Sequence, residues 1–130
     1  MLTQIQLRNR DFIYACKCHA ERLAADGGVP EVDTIVRLAL AEEAPSYYMD
    51  PEYALRRVRE CLGGDRPEDS RLADFLSDVR AYMAETPDAT LQDAVFAICG
   101  GDYGSPRFYI SLRQARYILR RHNKSLRKHL

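Results

Sequence analysis

The sequence predicts an all-α protein, a small helical bundle of two similar three-helix units with a short extended segment before the third helix of each. Three observations predict it. Apolar residues recur at spacings of three and four along most of the 130-residue chain, as one face of a helix requires. Glycine and proline clusters cut that periodicity into short blocks. Two unusual stretches, EAPSYYMD at 43–50 and GSPRFYIS at 104–111, place a proline and an aromatic pair just ahead of a helix start, and so divide the chain into comparable parts.

The first helix carries Phe12, Cys16, Ala20 and Leu23 at helical spacing and stops at the DGG of residues 26–28. Pro30 is placed to open the second, whose inner face is read as Ile35, Leu38 and Ala39. The third starts where Asp50 can cap free backbone N–H groups and Pro51 takes the first helical position, and it ends near the LGGD of residues 62–65. Phe75, Val79 and Met83 mark the fourth, broken by the TPD of residues 86–88. Thr90 and Asp93 have capping-box spacing for the fifth, which turns Ala94, Val95 and Ile98 inward and ends at Gly100 and Gly101. Ser111 and Gln114 form a second plausible box for the sixth, with Ala115, Ile118 and Leu119 as its apolar side.

At an offset of 61 the two unusual stretches align Pro45 with Pro106, Tyr47 with Phe108, Tyr48 with Tyr109, Met49 with Ile110 and Asp50 with Ser111. Upstream, Asp11, Phe12 and Ile13 align with Asp74, Phe75 and Leu76, and VDTIVRLAL from Val32 resembles LQDAVFAIC from Leu91. The order of parts is kept, so the chain reads as one compact domain over 1–130, internally duplicated over approximately 5–62 and 68–124 and sharing one core. Each proline keeps the residue before it out of helix, so residues 45–49 and 106–110 are expected to run extended. One ring of each pair, Tyr48 and Tyr109, is expected on the core side beside Met49 or Ile110. Pairing of the two segments as a two-stranded ribbon is the alternative.

Composition narrows the function classes. The chain is 46% hydrophobic, and no run approaches the roughly 18 apolar residues of a membrane span, so a cytoplasmic protein without a membrane span is expected. Cys16, Cys18, Cys61 and Cys99 are read as reduced thiols, since the first residues lack the apolar core of a secretory signal. The cluster Cys16, Cys18 and His19 has thiolate and imidazole donors but not zinc-knuckle spacing, and on a helix the two cysteines point about 200° apart. No metal or cofactor is expected. His19 shows no orienting carboxylate in the sequence, His122 and His129 lie in the basic tail, and no pair of carboxylates is set apart for acid–base work, so no catalytic residue is assigned and the protein is read as a non-enzyme. Glu42 and Glu43 read as a solvated helix end. The CGGDYG of residues 99–104 lacks the strand, lysine and Ser/Thr of a phosphate loop.

Net charge is zero, but unevenly spread: residues 21–100 hold 8 basic and 17 acidic side chains, and residues 101–130 hold 8 basic and 1 acidic. Arg113, Arg116, Arg120, Arg121, Lys124, Arg127 and Lys128 surround an apolar stripe on the last helix, making it the candidate recognition surface. Duplex DNA is the leading partner, with arginines on phosphates and base edges. The alternative is a protein-interaction or assembly module taking an acidic or helical partner. A membrane surface, the protein's own acidic middle and the helix dipole would also suit such a helix. A helix-turn-helix is disfavoured, because about a dozen residues separate the last two helices where that motif uses three or four.

Overall fold

The computed structural model describes residues 1–100 and 103–128, with side chains described up to residue 124. Among them are six helices: α1 (Gln4–Ala25), α2 (Val32–Leu40), α3 (Pro51–Leu62), α4 (Ser70–Glu85), α5 (Leu91–Cys99) and α6 (Leu112–Lys128). The all-α bundle expected from the sequence is therefore present. No helix among the described residues is long and apolar enough to cross a membrane.

Local chemistry explains where the helices start. Asp50 accepts from the Tyr53 N–H at 3.0 Å with Pro51 in the first turn, Thr90 and Asp93 form a reciprocal box, and Ser111 accepts from the Gln114 N–H at 3.1 Å. Two further caps went unread in the sequence: Thr3 and Gln6 form a box at α1, and Asp69 caps α4 by accepting from the Leu72 N–H. Pro30 does not open α2. Glu31 holds the N-cap position, and the helix begins at Val32. Beyond α1 and α3 the chain turns at Gly27 (φ 83°) and Gly64 (φ 121°), values open to glycine and strained for other residues. Gly100 caps α5 with φ −75°, and Gly101 lies outside the described residues.

The chain forms two compact units that are not consecutive blocks of sequence. Met1–Ala44 and Arg107–Leu130 make unit 1, and Pro45–Pro106 makes unit 2. In unit 1, α1 packs on α2 and α6, and α2 on α6; in unit 2, α3, α4 and α5 pack on one another. Thus α3 joins the two helices that follow it, whereas α6 returns to the two at the start. The chain leaves unit 1 at Ala44 and re-enters it at Arg107, immediately before Pro45 and after Pro106. Each unusual stretch is a crossing segment.

Each unit has a close-packed apolar interior. In unit 1 the buried residues include Phe12, Cys16, Ile35, Val36, Ala39, Phe108, Ile110, Ala115, Ile118 and Leu119; in unit 2 they include Tyr47, Ala54, Leu55, Val58, Leu72, Phe75, Leu76, Val79, Ala94, Val95 and Ile98. On α2 the inner face is Ile35, Val36 and Ala39, because Leu38 lies one helical step too far round and is exposed. The Phe12 and Phe108 rings meet edge to face at 5.4 Å in unit 1, and the Phe75 and Tyr47 rings do so at 5.1 Å in unit 2.

The crossing segments carry the unusual backbone. Residues 45–50 and 106–111 are non-helical, as expected, but each is bent by a tyrosine in the left-handed region: Tyr48 and Tyr109 both have φ 56°. A non-glycine residue there costs roughly 1–3 kcal/mol, so the surrounding packing must hold it. Ser46 supports the first bend by accepting from the Tyr48 N–H at 3.0 Å. The more deeply buried ring is the first of each pair, not the second: Tyr47 and Phe108 are 1% and 2% exposed, Tyr48 is 8% exposed and Tyr109 is half-buried.

Candidate functional site

The cysteine and histidine cluster resolves into packing and one polar pair. Cys16 is buried on α1, and burial, aided by the negative charge of Glu42, pushes its thiol up to about 12, so it stays protonated at neutral pH. Burial pushes Cys99 up to about 11, with Asp50 contributing. All four cysteines are free. His19 does have a carboxylate partner, contrary to the sequence reading: its Nε2 lies 2.9 Å from Glu42 Oε1. Twenty-three residues separate the two, beyond the reach of local spacing. Glu42 is therefore paired rather than merely solvated. Among the described residues no three His, Cys, Asp or Glu side chains gather in a way that could hold a metal ion.

The aromatic pairs singled out in the sequence are structural parts of their units. The Tyr47 hydroxyl donates to Asp78 of α4, and Ser105 Oγ donates to the Ser46 carbonyl at 3.0 Å. Arg107 lies over the Tyr109 ring, 5.9 Å from its centroid. Pro45 and Pro106 are exposed at the points where the chain changes unit.

Helix α6 sorts its cations by register. Ala115, Ile118 and Leu119 face the core, while Arg113, Arg120, Arg121 and Lys124 are exposed and make no ion pair or hydrogen bond among the described residues. Arg116 differs. Its guanidinium makes a two-pronged contact with Asp33 of α2 at 2.9 and 2.8 Å, tying α6 to an acid of its own unit. The Arg116 hydrogen bond is the main reason the Asp33 carboxyl is held below its ordinary value, with the charges of Arg37 and Arg120 adding to it. Arg127 and Lys128 belong to α6, but their side chains, and His129 altogether, lie outside the described residues. Helices α5 and α6 fall in different units.

The sequence reading missed the contribution of α1. Where α1 packs on α6, two adjoining surface depressions of about 460 and 410 Å³ share Gln6, Asn9, Ile13 and His122. Arg10, Tyr14 and Lys17 complete the first; Tyr117, Ile118 and Arg121 complete the second. His122 Nε2 is shielded from solvent and has no hydrogen-bond partner there. Tyr14 and Tyr117 are 69% and 61% exposed. A sequence signal for this surface was available: Arg10, Tyr14 and Lys17 share a helix face, as do Arg113, Tyr117, Arg121 and Lys124, each stripe placing a tyrosine between cations.

Charge separates along the same lines as packing. Unit 1 holds 13 basic and 7 acidic side chains, a net of +6, and unit 2 holds 6 and 12, a net of −6. Comparison with family models, curated proteins and solved structures gives no significant match.

Proposed function

We propose that this protein is a non-enzymatic binding module that contacts nucleic acid through the solvent face of α6. The observation that carries the reading is the set of exposed, unpaired cations Arg113, Arg120, Arg121 and Lys124, in a unit of net charge +6. A row of cations on one helix face attracts phosphates because each contact releases condensed counterions. Helix α3 supplies an internal control, since its Arg57 is tied to Glu60 and Glu68 and its Arg56 to Glu60.

The test is binding to duplex DNA across a salt series, starting near 50 mM. Affinity falls steeply with salt, each phosphate contact adding roughly 0.9 to the logarithmic slope. Replacing Arg120 and Arg121 by alanine weakens binding to all sequences and lowers the slope by up to about 2. The same change at Arg56 and Arg57 leaves binding as it was. Absence of binding to duplex and single strands alike at about 50 mM, where electrostatic attraction is greatest, overturns the proposal. Retention of an acidic or helical protein partner against excess DNA would favour the interaction-module reading instead.

We infer also that the consecutive segments of approximately 5–62 and 68–124 are copies of one ancestral three-helix sequence. Supporting this are the tyrosines at φ 56° sixty-one positions apart, the caps at Asp50 and Ser111, and the matching edge-to-face pairs of Phe12 and Phe75. Matched losses of stability on truncating those two phenylalanines are its test.

A further inference from the structure

We infer that the groove between α1 and α6 takes unpaired bases of a single-stranded nucleic acid, with Tyr14 and Tyr117 as stacking platforms and Arg10, Lys17 and Arg121 on the backbone phosphates. The inference rests on the nucleic-acid reading of α6 and names the kind of strand.

Placement of the rings is the main argument. A solvent-exposed tyrosine on a helix needs no explanation by itself, but here two of them stand on two packed helices, each at the middle of a cationic stripe. On α1 the stripe runs Arg10, Tyr14, Lys17; on α6 it runs Arg113, Tyr117, Arg121, Lys124. Both rings line depressions that meet at Gln6, Asn9, Ile13 and His122. Cys18, one turn along α1, raises the pKa of the Tyr14 hydroxyl above the ordinary tyrosine value, and most of the ring's surface stays open.

The arrangement suits an open strand better than a duplex. A duplex keeps its base faces stacked on each other, so it offers phosphates to the cations and nothing to the rings. An unpaired strand offers both, and stacking of a base on an aromatic side chain combined with cations along the backbone is how sequence-tolerant single-strand binding is built. Gln6 and Asn9, between the stripes, supply amide N–H donors for base edges, their oxygens already accepting from the Thr3 N–H and the Arg8 guanidinium. The Arg10 guanidinium is 63% exposed and only loosely associated with Asp11 at 3.3 Å, so it is open to phosphate.

The experiment compares three probes on the intact protein at one salt concentration: a thymidine oligonucleotide, an abasic oligonucleotide of equal length and charge, and a duplex. The chain has eight tyrosines and no tryptophan, so tyrosine emission reports on stacking directly. The thymidine strand is expected to bind at least about tenfold tighter than the abasic strand and to quench tyrosine emission, as two stacked bases would give. Replacing Tyr14 and Tyr117 together by alanine removes that preference and the quenching but leaves the salt slope intact. Both residues are exposed, so the fold is expected to survive, and circular dichroism checks it. Equal affinity for thymidine and abasic strands, tighter binding of the duplex, or a preference that survives the double substitution overturns the inference while leaving the α6 reading standing. Failure of all three probes to bind overturns both. Displacement of the thymidine strand by polyglutamate of equal charge also overturns the inference and points to an acidic protein partner.

Discussion

Helices α3 and α6 each follow a crossing segment, begin with a side-chain cap and complete a three-helix unit, yet their arginines do different things. On α3, Arg57 is held by Glu60 and Glu68, Arg56 reaches Glu60, and the Tyr53 hydroxyl donates to Glu68 at 3.0 Å, so two of its three arginines are engaged locally and Arg59 is exposed. On α6 only Arg116 among the described side chains has an acidic partner, and four other cations stand open. The inner faces are nearly interchangeable: Ala54, Leu55 and Val58 on one, Ala115, Ile118 and Leu119 on the other. Packing requires the apolar stripe in both places. The outer face is free of that requirement, and there the two helices differ. The difference teaches that packing fixes the inner face of a third helix and leaves the pairing of charges on its outer face free to vary.

The most severe way to break this comparison is to separate α3 from its partners. A fragment spanning residues 45–106 contains the whole of unit 2 and is expected to keep its helical circular dichroism and melt cooperatively, whereas a fragment spanning 1–64 has α1 and α2 without α6, and α3 without α4 and α5, and is expected to be largely unfolded. A folded 1–64 fragment would show that α3 can serve the first two helices, and the contrast with α6 would collapse.

Next in size is truncation of the phenylalanine each unit sets against its crossing-segment ring. Phe12→Ala and Phe75→Ala each remove a fully buried ring and are expected to cost about 3–5 kcal/mol in urea denaturation, the two losses agreeing within about 1 kcal/mol. A large loss at one site with a small loss at the other would show that the units are alike in outline but not in how they are held.

The smallest effect sharpens the comparison on the α6 side. The Asp33 carboxyl is lowered by its hydrogen bond with Arg116, so the contact stabilises unit 1 above the ordinary aspartate value and is lost as pH falls through the lowered one. The melting temperature is therefore expected to decline as pH drops below about 4, and Asp33→Asn should flatten that decline while changing little at pH 7. An identical acid limb in the variant would leave Arg116 no more engaged than its exposed neighbours.

Much of the fold was legible because helices announce themselves locally. Asp50 with Pro51, Thr90 with Asp93, and the spacing of Ala115, Ile118 and Leu119 each depend on residues within one or two turns, and each behaves as its spacing implies. Thr3 with Gln6 carries the same local signature and forms the same kind of box. The partnership of α3 was not legible, because its inner face and that of α6 offer similar small and branched side chains, and nothing local distinguishes which pair of helices either should join. Nor was the bend at Tyr48 and Tyr109, since tyrosine has no preference for positive φ and only surrounding packing can impose it. The candidate site was half legible: the cations of α6 are plain in the sequence, but the cations and tyrosine of α1 join them only through helix packing.

The return of α6 to the opening helices also sets an order for the growing chain. Unit 2 is one uninterrupted stretch, so its three helices can assemble as soon as they emerge during synthesis. Helices α1 and α2 emerge first but must wait while residues 45–106 are made, on the order of 3–12 s at ordinary elongation rates. During that interval α1 and α2 lack the Phe108 ring that meets Phe12 and the helix α6 that packs on them both. The earliest part of the described chain to leave the ribosome is thus the last to be enclosed.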